Sequence, residues 1–177
     1  MVQSSWEFVH YFAKQNKYKN LPIFLWGTCF GATTILSMLL RHTKEVSIAG
    51  IILIAPLLKM KKLCQGEEWT KAWSRIDEVQ WKRYSCPEYF NDELPEKTER
   101  EIIEMAGEVC EKLKCFNIPM LVMHGTGDQI CEVDILKDLC YNNKSYSILK
   151  IFPGGYHSLN HDLCAKVKIL SFVYTFL

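Results

Sequence analysis

The sequence lacks a charge excess of either sign: 21 Lys and Arg stand against 20 Asp and Glu, for a formal charge of +1. Such a chain projects no strong field toward phosphate backbones or an anionic membrane, so no nucleic-acid partner is expected. It also lacks a long apolar run. Gly, Pro, Thr or a charge breaks each stretch before the roughly 18 residues that mark a membrane-spanning helix. Neither G-x-G-x-x-G nor the G-K-S/T of a phosphate-binding loop occurs, so no nucleotide cofactor is expected. There are eight cysteines, but no leader-like apolar run precedes them, which reads as a cytoplasmic protein with reduced thiols. They also lack paired zinc spacing. His157, His161 and Cys164, or Cys110 with Cys115, have no matching second half, and no metal is expected.

What is present is enough apolar material for one globular domain: 49% of 177 residues are hydrophobic and 23% charged, outside the range of disordered chains. Trp6, Val9, His10 and Ala13 share a helical face, predicting a first helix that ends near Asn16. The run Ile23–Gly27 then reads as a strand. Ala32, Ile35, Leu36, Leu39 and Leu40 recur at helical spacing, predicting strand, tight turn, helix. Continuous β-branched residues from Ile48 to Pro56 predict a strand buried on both faces.

The texture changes between Leu57 and about Cys115, where KMKK, three tryptophans and an acidic stretch follow one another. There Thr98 and Glu101 fit a capping box, and Ile102, Met105, Ala106, Val109 and Leu113 form one apolar face. This segment, 57–115, reads as a helical insertion. The α/β rhythm returns with a strand over Ile118–Gly125, a short helix through Val133, Leu136 and Leu139, a strand in SYSILKIF and a terminal helix from near Asp162. Strands joined by crossover helices imply an α/β fold with a mainly parallel sheet flanked by helices. Its chemistry is expected at the C-terminal strand ends.

Three points fall at such ends. Gly27-Thr28-Cys29-Phe30-Gly31 lies between a strand and a helix, and glycine on both sides permits a sharp turn that pushes Cys29 out over the sheet edge. The Phe30 backbone N–H, at the helix start, would face a developing oxyanion. Asp128 follows a later strand in HGTGD, and His157 the last strand in PGGYHSL. In that order Cys29 is a candidate nucleophile, His157 its base and Asp128 the group that orients the imidazole. Each has a plainer reading: Cys29 as a small buried hydrophobe, Asp128 as a turn residue, His157 as a loop histidine. Cys64, Cys86, Cys131 and Cys140 read as packing residues or unpaired surface thiols.

On the stretches LPIFLWGTCFGATTILSMLL, IAGIILIAPLL, IPMLVMHGTGDQICEVD and IFPGGYHSLNHD, the chain resembles the α/β-hydrolase superfamily, and within it the monoacylglycerol lipase and lysophospholipase branch with serine aminopeptidase-like domains. The resemblance implies a core over 1–56 and 116–177, a cap over 57–115, and a triad of Cys29, Asp128 and His157. It implies a small lipid ester as substrate; in the cap, which has a candidate peripheral contact with membrane, Trp69, Trp73 and Tyr84 either line an acyl pocket or, for Trp69 and Trp73, four apart, pack one helix face against the body. The family normally has Ser where Cys29 stands. It normally also has several strands and a His-Gly loop ahead of the first helix here, so a core truncated on its N-terminal side, with a sheet edge open to self-association, is expected. The alternative function is a catalytically inactive lipid-binding or interaction module, or an incomplete fragment.

Overall fold

A computed structural model describes residues 2–18, 20–42, 45–59, 96–161 and 163–177. Its elements are α1 (Val2–Ala13), β1 (Phe24–Thr28), α2 (Phe30–His42), β2 (Gly50–Ile54), α3 (Glu96–Glu111), β3 (Met120–Gly125), α4 (Asp134–Asn142), β4 (Ser147–Phe152) and α5 (Leu163–Phe176). The four strands form one sheet in the order β1-β2-β3-β4, every neighbour parallel. This is the parallel, helix-flanked α/β architecture that the sequence implies.

Side-chain alternation sorts the core into two layers. Ile51, Leu53, Met120 and Val122 face one way, packing with Ala32, Ile35, Leu36 and Leu39 of α2, Val109 of α3, and Leu136 and Leu139 of α4. Their neighbours Ile52, Ile54, Leu121 and Met123 face the other way, onto Ala165, Ile169 and Val173 of α5. Both layers need apolar side chains, which is why β2 and β3 read as unbroken hydrophobic runs; both are buried along their whole length. The crossover helices α2, α3 and α4 lie on one face, as successive crossovers of the same hand require when strands are added in chain order.

The apolar stripe of α3 is as the sequence predicts, with Ile102, Met105, Ala106 and Val109 buried. The helix begins at Glu96, however, so Thr98 sits inside its first turn and cannot serve as the expected N-cap. Within the expected insertion, α3 shares the core layer of α2; Trp69, Trp73 and Tyr84 lie outside the described residues. At the other side, α1 seats Val2 and Trp6 against Met38 and Met105, and the Trp6 indole donates to Glu45 at 3.0 Å. Among the described residues, no helix is long and apolar enough to cross a membrane.

Candidate active site

Cys29 occupies the single turn residue between β1 and α2, with a left-handed φ of 55°. A non-glycine residue adopts that conformation only where its surroundings fix it, and here they do. The Cys29 N–H donates to Ile54 O at 2.8 Å, and its carbonyl accepts from Ala32 (3.1 Å), Thr33 (3.3 Å) and Leu57 (3.3 Å). The Thr33 hydroxyl adds a bond to Leu57 O at 2.9 Å. The turn is therefore tied both to the helix it opens and to the loop after β2.

The two glycines of this turn have different reasons. A Cβ at Gly27 would lie 2.7 Å from the backbone of Gly31 and Ala32, whereas one at Gly31 would meet open space. The close approach of strand and helix that the sequence suggests at both is imposed at Gly27 alone. Phe30 is the first helical residue, so its N–H has no acceptor within the helix and projects at the turn.

Asp128 and His157 are brought together by a second pair of glycines. A Cβ on Gly125, the last residue of β3, would collide with the Gly155 carbonyl. Without one, the loops after β3 and β4 interlock: Gly127 N–H donates to Gly155 O at 2.8 Å and Gly154 N–H to the Thr126 hydroxyl at 2.7 Å. Asp128 then accepts the Ile130 and Cys131 backbone N–H groups on Oδ1, at 2.7 and 3.0 Å. Its Oδ2 lies 2.8 Å from His157 Nδ1. The His157 loop is anchored to the Cys29 turn by Asn160, whose amide donates to the Thr28 hydroxyl at 3.2 Å.

The pair is buried, with Asp128 2% and His157 0% exposed. Burial opposes the charge on each, but their partners win. For Asp128, the bond and charge of His157, the Cys131 N–H and the charge of His124 hold the carboxyl below its usual range. For His157, the Asp128 bond and then the neighbouring thiols of Cys131 and Cys29 hold its pKa well above the ordinary histidine value. Cys29 itself is half-buried and packs beside Leu57, Ile102, Ile130 and Cys131. The three candidates from distant parts of the chain thus meet at the C-terminal end of the sheet.

Two residues that the sequence does not single out belong to this cluster. His124, buried on β3, brings Nε2 to 3.2 Å from Asp128 Oδ2; its position four residues before Asp128 in HGTGD is the available signal. Cys131 is 1% exposed, and its thiol, Asp128 and His157 each offer a donor atom within 4.8 Å of the others. Burial pushes the Cys131 thiol up to about 11. It is a packing residue, as the sequence suggests, but one packed against the histidine.

A family profile for serine aminopeptidase, S33, matches residues 1–89 and 77–163. The chain is 24% identical over 184 residues to a Schizosaccharomyces pombe protein named "Putative monoglyceride lipase"; the match covers 87% of this chain and 48% of that one. The chain thus spans about half the length of the curated relative it matches. In fold it is similar to the monoacylglycerol lipase of Paleococcus ferrophilus, at a TM-score of 0.77 and 17% identity, covering 99% of this chain and 74% of that one. It is also similar to a soluble variant of monoglyceride lipase from Saccharomyces cerevisiae bound to a substrate analog, at a TM-score of 0.74 and 16% identity, covering 98% and 66%. With a profile matched along most of its length and a parallel sheet that superposes on lipases of this fold, the chain belongs to the serine aminopeptidase S33 family of α/β hydrolases.

Proposed function

We propose that the chain is a carboxylic ester hydrolase acting on monoacylglycerol or lysophospholipid-like esters through Cys29, His157 and Asp128. The observation that carries this reading is the 2.8 Å Asp128–His157 bond beside a cysteine held at a left-handed strand-to-helix turn. In the reaction, the thiol proton resides on His157 Nε2, and Cys29 Sγ attacks the ester carbonyl as the thiolate. Asp128 stabilises the resulting imidazolium, and the Phe30 N–H donates to the oxyanion. His157 returns the proton to the departing alcohol. It then activates a water that releases the fatty acid and regenerates the thiol.

A thiol in place of the family's serine hydroxyl remains a competent acyl acceptor, because thiolate is a strong nucleophile. The names of the lipase relatives support a glycerolipid substrate. In the same reading, residues 57–115 supply the cap, with Trp69, Trp73 and Tyr84 toward the acyl chain and a peripheral contact with membrane from a cytoplasmic location. Ile102 of α3, packed in the cluster beside Cys29, supports an apolar approach to the site from that side.

Hydrolysis of a short-chain activated ester and of a monoacylglycerol, followed for the unaltered protein, Cys29→Ala and His157→Ala, tests the proposal. Turnover by the unaltered chain that both variants lose establishes the thiol hydrolase. Equal rates in all three leave the inactive lipid-binding module as the reading.

A further inference from the structure

His124 stands where the packing alone would favour an apolar residue. β3 is buried along its whole length, and strand alternation puts His124 on the face of Met120 and Val122, which pack into the apolar layer against α2, α3 and α4. A polar side chain at such a position costs stability unless a partner offsets its burial, and Val or Ile would suit the strand better. The partner is the carboxylate of the candidate site. His124 Nε2 lies 3.2 Å from Asp128 Oδ2, with the two side chains 0% and 1% exposed. We infer that His124 is a positioning residue, which presents an Nε2–H to Asp128 and locks the carboxylate that orients His157. Its effect on turnover rests on the hydrolase reading; its tautomer and its hold on the Asp128–His157 pair do not.

An ionised carboxylate only accepts hydrogen bonds, and it offers about four lone-pair sites. Oδ1 of Asp128 takes the Ile130 and Cys131 N–H groups at 2.7 and 3.0 Å. Oδ2 lies 2.8 Å from His157 Nδ1 and 3.2 Å from His124 Nε2. Two nitrogens thus face each oxygen, and they come from β3 itself, from the turn after it and from the loop after β4. Because the oxygen only accepts, each imidazole nitrogen that faces it carries the hydrogen. That places a proton on Nε2 of His124 and on Nδ1 of His157, and leaves His157 Nε2 as the nitrogen that holds the thiol proton in the proposed reaction. The bonds to Oδ1 come from the loop that carries Asp128, so they move with it. His124 belongs to a central strand of the sheet, and its contact with Oδ2 ties the carboxylate to the most rigid part of the fold. Such anchoring matters for a base, since a displacement of about 1 Å can cost roughly 10²-fold in rate.

Long-range proton–nitrogen correlation spectra of the unaltered protein, isotopically labelled at histidine, test this without any variant. His124 should carry a proton on Nε2, and a proton on Nδ1 alone would overturn the proposal. The bonded His157 Nδ1–H should give a far-downfield proton resonance that Asp128→Asn abolishes. His124→Phe should broaden that resonance through faster exchange with solvent, whereas His124→Gln, whose side-chain amide brings an N–H close to the place of Nε2, should retain it. A sharp, unshifted resonance in His124→Phe would overturn the positioning role. In ester hydrolysis, His124→Phe should lower kcat by about 10- to 10²-fold while changing KM by less than about twofold, and His124→Gln should recover most of kcat. A loss confined to KM, or one that Gln does not repair, would reduce His124 to a packing residue and reject the inference. An Nε2 proton and a His124-dependent resonance in a chain without ester turnover would instead retain the positioning of the pair and reject the hydrolase.

Discussion

The two halves of the candidate site are built differently. On the β3–β4 side, Asp128 and His157 are buried and bonded to each other, and the loops carrying them interlock through Gly125, Gly127, Gly154 and Gly155. On the β1 side, Cys29 is half-buried at the end of an edge strand whose Trp26 is 48% exposed. The Asp128–His157 pair is thus fixed within the fold, whereas Cys29 depends on one tight turn at the sheet's margin. In the proposed reaction the histidine must hold an orientation to serve as a base, while the attacking thiol must stay reachable.

The comparison breaks most severely at Asp128. Asp128→Asn leaves the His157 ring without its anionic partner, and a fall in ester turnover of about 10⁴-fold is expected by analogy with the serine-protease triad. Removing one member of a buried pair should also cost about 3–5 kcal/mol of stability, read as the urea midpoint at neutral pH. The pH dependence has a definite sign. Asp128 titrates below its unfolded value of 3.8, so its contribution is present above that value and lost as pH falls through the lowered folded one. His157 titrates above its unfolded value of 6.5; its contribution is complete below 6.5 and lost as pH rises through the raised folded value. Both limbs should flatten in Asp128→Asn, and urea midpoints that follow pH identically in the two proteins would contradict the pairing.

Glycine substitutions sharpen the contrast at a smaller scale. Gly125→Ala drives a methyl into the Gly155 carbonyl and Gly27→Ala into the backbone of Gly31 and Ala32; each should destabilise by about 1–3 kcal/mol or more through overpacking. Gly31→Ala meets open space within α2 and should stabilise by roughly 0.5–1 kcal/mol through helix propensity. Thermal unfolding of the three variants decides the matter, and equal losses at Gly27 and Gly31 would contradict the asymmetric turn.

Thiol chemistry distinguishes the halves without mutation. Burial pushes the Cys131 and Cys140 thiols up to about 11, so iodoacetamide near neutral pH should label half-buried Cys29 before either. Mass-spectrometric mapping that finds Cys131 labelled first would reverse the assignment of the accessible thiol. The smallest effect is expected at the edge: Trp26→Lys should change stability by no more than about 0.5 kcal/mol, as exposed positions do, while reducing any self-association seen by sedimentation.

Much of the fold was legible because its signals are local. Unbroken apolar runs mark β2 and β3, helical periodicity marks α2 and the inner face of α3, and glycines mark the turns. The start of α3 was misread because Thr98 and Glu101 match a capping pattern while the backbone is already helical from Glu96; a cap depends on the conformation of the residue that bears it. Order along the chain was enough to nominate Cys29, Asp128 and His157 once a parallel sheet was inferred, because parallel strands deliver their following loops to the same edge. His124 lies within a strand's hydrophobic run, and Cys131 reads as a packing residue or surface thiol, with nothing local to place it against His157.

The α/β class, the strand-turn-helix around Cys29 and the identity of the groups that could carry chemistry follow from residue type and the spacing of a few positions. That Gly27 and not Gly31 is sterically required, that His124 shares the Asp128 carboxylate, and that Cys131 lies against His157 came from the folded arrangement. Those facts depend on distances between segments separated by tens of residues. Periodicity carries no record of such distances; packing of the loops at one end of the sheet fixes them.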